Sequence, residues 1–308
     1  MSDLDKVRVE RESRRHGTGL GPPSRYSAAV ERYLGAVGYG FDEASPAPVE
    51  MPTAAVAPGG TVLVGADDSL SGYTAVDHAA IEAELRGWDL RIVHAQRPGG
   101  LRPESRDVGA RLLERLTDRV HAYSPSVPVT SRLLVGSPAS LLLEAAHGMD
   151  LVVVGHRHSS AGIAFGLGVG DRLAVQHTGT VIVVRVPGWP PGPGFGGRPI
   201  VVGVDRLGAT TPAVRFALQE ARIRGCDVTL LHAQPNAAQV GRVELIAGVR
   251  VHHRTVDADP TPALIEASNR AAAVVVGRRA FGRNPVTLLG SVSRAMVRHA
   301  YCPVFLVG

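Results

Sequence analysis

Residues 273–293 read Ala-Val-Val-Val-Gly-Arg-Arg-Ala-Phe-Gly-Arg-Asn-Pro-Val-Thr-Leu-Leu-Gly-Ser-Val-Ser. The run Ala273–Gly277 is apolar on both of its faces, as a strand at the centre of a parallel sheet must be. Arg278, Arg279 and Ala280 follow, then nine residues, then Gly290-Ser291-Val292 at the head of a helix that reaches His299. A glycine turn after a central parallel strand is where an α/β sheet receives ligands. The N–H groups and positive dipole end of a helix that starts there favour a phosphate, and the Ser291 hydroxyl adds one more donor. Alone, such a turn reads equally as packing: valines for the core and glycines for the bend.

The same pattern stands 122 positions earlier. Leu151–Gly155 is the apolar run, His156-Arg157-His158 follows, and nine residues later come Gly168 and Val169. His177 and His299 keep that offset. Further upstream the offset is 138: it links Asp67 to Asp205, and His94 to His232, each histidine followed by Ala-Gln. The chain is therefore an internal repeat in which the offset changes once, by 16 residues. One contiguous segment is missing from the second copy, where the first copy holds the helix predicted over Arg106–Tyr123. Both copies alternate strands and helices, which predicts α/β units with a parallel sheet covered on both faces. The first copy spans 58–187 and the second 198–308. Gly188–Gly197 is too rich in Gly and Pro for helix or central strand and reads as a linker. Residues 1–57 read as a mostly disordered arm with one docking helix over Tyr26–Phe41.

Composition sets bounds on function. The chain has 308 residues, a formal charge of +5 and one lysine, Lys6. No lysine in the repeats means no lysine-based phosphate clamp of the P-loop or kinase kind. The arginines are scattered rather than patched, which argues against a nucleic-acid partner. No apolar run approaches bilayer length and Met1 to Arg15 are charged with no apolar signal-peptide core, so a cytoplasmic protein is expected. Cys226 and Cys302, the only cysteines, then read as reduced thiols.

With these residues in register, the sequence resembles the universal stress protein family, in its tandem actinobacterial form. ATP-binding members carry glycine, two residues, glycine, nine residues, then glycine and Ser or Thr. They also carry an aspartate after strand one and a Leu-His-Val-like end to strand two. Here Asp205, Leu231-His232-Ala233, Gly277, Gly290 and Ser291 match, and Arg298–Val304 resembles the closing segment of the family. The resemblance implies a doubly wound, Rossmann-like sheet of five strands in each copy. It also implies ATP, with or without Mg2+, bound rather than rapidly turned over, and a stress-regulatory role. In the second copy the implied contacts are Asp205, Ala233, Gly277, Arg278, Ala280, Gly290, Ser291 and Val292, although Ala280 stands where the family has its second glycine. In the first copy they are Asp67, Ala95, Gly155, His158, Gly168 and Val169. There His158 replaces a glycine and Val169 replaces the hydroxyl residue, so the second copy is the favoured site. The closing strands, Val181–Val184 and Val304–Val307, are expected to pair within one chain as a pseudo-dimer, which could pair again as a homodimer.

Other readings are kept open. Both pockets could be degenerate, leaving a scaffold for a protein partner. His156 with His158, or His252 with His253, could suggest a metal, but no third ligand follows from spacing. His94 and His232 read as satisfied structural histidines. No Gly-x-Ser-x-Gly elbow is present and no general base can be named, so at most slow ATP hydrolysis is expected. Loss of a helix from the second copy should bare one sheet face, to be covered by Ala237–Ala247, by the arm helix or by a partner.

Overall fold

The computed structural model describes residues 24–36, 59–97, 104–156, 169–186, 188–189, 197–207, 210–278 and 289–308. The arm contributes α1 (Arg25–Ala36). The first repeat contains β1 (Thr61–Gly65), α2 (Leu70–Arg86), β2 (Asp89–Gln96), α3 (Glu104–Tyr123), β3 (Val129–Val135), α4 (Pro138–Ala145), β4 (Leu151–Gly155), α5 (Val169–Gln176) and β5 (Thr180–Val184). The second contains β6 (Ile200–Gly203), α6 (Pro212–Arg224), β7 (Val228–Ala233), β8 (Val240–Ile246), β9 (Val249–Val256), α7 (Pro260–Ser268), β10 (Ala273–Gly277), α8 (Ser291–His299) and β11 (Val304–Val307).

All these strands join one sheet in the order β3-β2-β1-β4-β5-β11-β10-β6-β7-β9-β8. Within each repeat the chain winds outward from its first strand, then returns to the other side of it, so the two central strands are β1 and β4, or β6 and β10. The five strands of the first repeat are all parallel. The two repeats meet as expected from their closing strands: β5 and β11 run antiparallel, with Val183 opposite Val304 and Val181 opposite Leu306. Strand side chains alternate between two core layers. Val62, Val64, Ile182, Val275 and Phe305 enter the layer under α1, α2, α3 and α6, while Leu63, Val181, Val274 and Leu306 enter the layer under α4, α5, α7 and α8.

At the seam between repeats, α2 and α6 bring together four charged side chains, all nearly inaccessible to solvent. Arg86 bonds Glu82 and Glu220, and Arg224 bonds Glu82 and, at 2.5 Å, Glu220. Each arginine thus bridges both glutamates, one in its own helix and one across the seam. Burial works against the charged form of both arginines, and the two carboxylates outweigh it, so both guanidiniums lie further above their usual range. Both helices then end on a glycine in the left-handed region, Gly87 at φ 62° and Gly225 at φ 70°, a conformation that costs most other residues energy.

Helix α1 lies astride this seam. Ser24 starts it by accepting from the Ser27 N–H at 3.1 Å. Its buried face is Tyr26, Ala29, Val30 and Tyr33, one side of a helix at the spacing i, i+3, i+4, i+7. The Tyr26 ring stacks on the Arg224 guanidinium at 4.2 Å, a cation–π contact. Tyr33 packs on Tyr123, with ring centroids 5.1 Å apart, and its hydroxyl donates to Ser124 at 3.4 Å. The docking helix is therefore present, but it packs on α2 and α6 rather than over the bared face of the second repeat. Val37 and Phe41 of the expected helix lie outside the described residues. The segment 240–246 does not cover that face either. It forms β8, a sixth strand antiparallel to β9 at the sheet edge, where five parallel strands are expected. The expected linker begins as an anchor: Trp189 is buried and stacks on His78 at 4.2 Å, and the Gly188 C=O accepts from the same imidazole at 3.1 Å.

Two outcomes test this packing. Burial, and then the nearby Arg224, push His78 down from 6.5 to about 3. Between those values the unfolded chain holds one proton more than the native one, so stability falls as pH drops through that window, by about 1.4 kcal/mol per pH unit from this group. His78→Phe, which copies Phe216 at the equivalent position of α6, should flatten urea-derived stability against pH between 6.5 and 4.5 by that slope. Separately, Arg86→Met should cost about 3–5 kcal/mol in urea unfolding because it leaves buried carboxylates short of a partner. Arg115→Ala, which removes an exposed pairing with Asp68, should cost less than about 1 kcal/mol.

Candidate functional site

Ligands of doubly wound sheets sit beyond the carboxyl ends of the two strands where the winding reverses. Here that means the ends of β1 and β4, and of β6 and β10. The residues singled out from sequence lie at these two ends. Asp67 follows β1, Ala95 is near the end of β2, Gly155 ends β4, and Val169 opens α5. In the second repeat Asp205 follows β6, Ala233 ends β7, Gly277 ends β10, Gly290 precedes α8, and Ser291 and Val292 open it. His158, Gly168 and Ala280 lie outside the described residues.

In the second crevice α8 is tied to the sheet by its own first turn. The Gly290 N–H donates to the Arg278 C=O at 3.0 Å, and the Arg278 N–H donates to the Val307 C=O at 2.9 Å. The Ser293 hydroxyl donates to the Gly277 C=O at 2.6 Å. No side chain caps the helix, so the first-turn N–H groups keep the donor capacity that every helix start presents. Ser291 is exposed beside them. Asp205, on the opposite lip, is also exposed and makes no hydrogen bond among the described residues. Arg278 is buried, 7% exposed, and its guanidinium reaches the Leu306 C=O at 3.5 Å.

The first crevice differs in a way that starts at one glycine. Helix α2 begins at Leu70, whereas α6 begins only at Pro212, the equivalent of Thr74. The extra turn of α2 folds onto Asp67. The Ser69 hydroxyl bonds the Asp67 carboxylate and also caps α2, accepting from the Gly72 N–H at 3.2 Å. A Cβ on Gly72 would lie 2.3 Å from the Asp67 carbonyl oxygen, and one on Gly155 would lie 2.4 Å from that of Ser71. The start of α2 thus fills the space between the ends of β1 and β4. Thr210 stands at the position of Gly72 in the second repeat, and there Asp205 stays open. Val169 opens α5 without a hydroxyl.

The remaining candidates are structural. His94 and His232 are equivalent: each Nδ1 bonds the carbonyl just before the strand-end aspartate, Ala66 at 2.9 Å and Val204 at 3.1 Å. They hold the aspartate loops to the second strand of each repeat, as satisfied structural histidines do. His252 and His253, adjacent on β9, face opposite sides of the sheet and bond different carboxylates, Asp227 at 2.8 Å and Glu244 at 2.7 Å. Cys226 and Cys302 are free thiols that burial pushes up to about 11 and about 12. Sequence reasoning missed the charged ring at the seam, although its signal was available. The offset of 138 that links Asp67 to Asp205 also links Glu82 to Glu220 and Arg86 to Arg224.

Two doubly wound α/β repeats, joined edge to edge through their closing strands, define the class of this protein. The model of the universal stress protein family matches residues 60–185 and 237–308, more than half of the chain, and the chain belongs to that family. A universal stress protein of Mycobacterium tuberculosis is 27% identical over 299 residues, covering 80% of this chain and 94% of the relative. One of Mycolicibacterium smegmatis is 28% identical over 290 residues, covering 80% and 96%. Among solved structures, a universal stress protein of Archaeoglobus fulgidus matches with a TM-score of 0.60 at 15% identity, covering 80% of this chain and 97% of its own.

Gly72→Ala tests the closed first crevice. Its new methyl group meets backbone rather than a flexible side chain, so thermal unfolding should report a loss of about 1–3 kcal/mol. Gly241→Ala, with nothing within 4 Å of the new atom, should lose less than about 1 kcal/mol.

Proposed function

We propose that the protein is a regulatory universal stress protein that binds ATP in its second crevice and holds it rather than turning it over. The observation that carries this reading is the uncapped start of α8, with the exposed Ser291 hydroxyl beside it, across the switch point from the unengaged Asp205 carboxylate. Phosphate oxygens fit the first, because N–H donors and the dipole end favour negative charge there. A ribose hydroxyl or an adenine amine fits the second, because a carboxylate accepts from either. Ala233 and Gly277 would line the crevice between them, and Gly290 and Val292 would offer backbone donors. Magnesium would come with the nucleotide.

The first repeat favours the second reading, a scaffold without nucleotide, for itself alone. Its aspartate is satisfied internally by Ser69, and the head of α2 occupies the crevice. One repeat that senses nucleotide and one that supports it would let bound ATP alter the surface offered to a protein partner. Among the described residues no helix is long and apolar enough to cross a membrane.

Nucleotide released by denaturing freshly purified protein should amount to about one mole of adenine nucleotide per mole of chain. Asp205→Ala and Ser291→Ala should each weaken ATP binding about tenfold in calorimetry, the scale of one or two lost hydrogen bonds, while Asp67→Ala leaves it unchanged. No ATP binding by the folded wild-type chain would replace this reading with the scaffold.

A further inference from the structure

Where the second repeat lacks a helix, the chain forms a hairpin instead. Ala247 and Gly248 take positive φ, 49° and 85°, the turn that joins two antiparallel strands through two residues. The turn is pinned from α6 by Arg222, which donates to the Ala247 C=O at 3.0 Å, and the strand is pinned by Glu244, which accepts from His253 at 2.7 Å. The result is β8, an edge strand of seven residues, Val-Gly-Arg-Val-Glu-Leu-Ile. Alternate residues of an edge strand turn unpaired N–H and C=O groups outward, and soluble proteins usually blunt such edges with proline, lysine or a bulge. This strand has no proline, lysine or bulge, and its two charges, Arg242 and Glu244, bond each other at 2.9 Å within the chain and are available to exchange partners with a second copy. Val240, Val243 and Leu245 are instead 53%, 58% and 74% exposed.

The strand is complementary to itself. Laid antiparallel against a second β8 about a twofold axis through Val243, it pairs Arg242 with Glu244 of the second copy and Glu244 with Arg242 of the second copy. On the opposite face Val243 meets Val243, and each Leu245 lies over a Gly241, where the space is open. Val240 meets Ile246. Sliding by one residue on each strand sets Arg242 against Arg242, or Glu244 against Glu244, and like charges directly opposite are unfavourable. One register therefore satisfies both charge and shape, as an isologous twofold contact requires. We infer that two copies of this chain associate through β8, joining their sheets into one continuous sheet across the pair. The contact is small, so the dimer is of the reversible class, and the site of association is the segment in which the two repeats differ most.

Sedimentation velocity of the full chain over a range of micromolar concentrations tests this. A reversible shift from 32.3 kDa to twice that mass is expected. Val243→Lys, which sets two ammonium groups together on the axis, should abolish the shift. Arg242→Glu alone should weaken the dimer about tenfold. Glu244→Arg alone should do the same, and an equimolar mixture of the two variants should restore it. Val243 and Arg242 are exposed on one edge, so circular dichroism should report an unchanged fold for their variants; Glu244→Arg also takes the acceptor from His253, and recovery of the dimer on mixing shows that this variant still presents the edge. A monomer at every concentration would overturn the inference. So would a dimer that ignores these substitutions, or growth beyond a dimer, which would mean that β8 meets another edge such as β3.

Discussion

Four charges buried at one seam constrain everything around them. A guanidinium removed from water is tolerated only where carboxylates replace its hydration, and removing one member of such a set leaves the others uncompensated. Arg86 and Arg224 each need both glutamates, and each pair is split between α2 and α6. The ring closes only if the two helices cross with Glu82 and Glu220 facing each other. That crossing sets how the two half-sheets meet, and β5 and β11 pair antiparallel beneath it. Apolar residues at these four positions could also have filled the seam, with fewer restrictions on how the helices slide. The charged ring contributes geometry more than stability. It makes the register between the repeats a matter of hydrogen-bond directions rather than of volume alone.

The ring is symmetric and its surroundings are not. Phe305 lies 5.2 Å from the Arg224 guanidinium and Tyr26 lies 4.2 Å from it on α1, whereas Arg86 has Trp88 at 5.6 Å. The arm helix thus touches one arginine of the ring and, through Tyr33, Arg32 and Glu84, the first repeat. A segment that packs on both repeats gains from their being in register and loses if they part. Its two fully buried tyrosines are each worth roughly the 1.5–3 kcal/mol of a large side chain taken out of water, enough to make α1 part of the folded unit.

The sheet was legible in sequence because it rests on repetition. Short apolar runs ending in glycine recur at fixed offsets, and a central parallel strand has few other ways to be written. The pairing of closing strands followed from the same symmetry. What escaped reading was local and relational. Residues 240–246 carry charge and glycine among their apolar residues, so nothing in their composition demands a strand, and β9 and the Ala247-Gly248 turn recruit them. The burial of Arg278 could not be read from its place after Gly277, because it depends on β11 lying alongside. The ring residues read as ordinary helical Glu-to-Arg pairs four apart, which on an isolated helix would be a solvated face. Their meaning depends on a second helix 138 positions away.

The difference between the crevices reduces to where a helix begins. In both repeats a histidine on the second strand ties down the aspartate loop in the same way, so the frame is shared. Gly72 allows α2 an extra turn because no Cβ stands between it and Asp67, and Ser69, the cap of that turn, is an internal partner that the second repeat lacks because Leu207 stands in its place. With Thr210 in the same place, α6 starts a turn later at Pro212, under a Thr211 cap that bonds the Val214 N–H at 3.3 Å. Asp205 is then left to the solvent. The loss of one carboxylate partner in the second repeat and the loss of one helix beside it are separate changes, at the central strand and at the far edge. Both open a polar surface that the first repeat keeps closed, so the repeats divide the labour: one is satisfied within itself, and the other presents its donors, acceptors and edge outward.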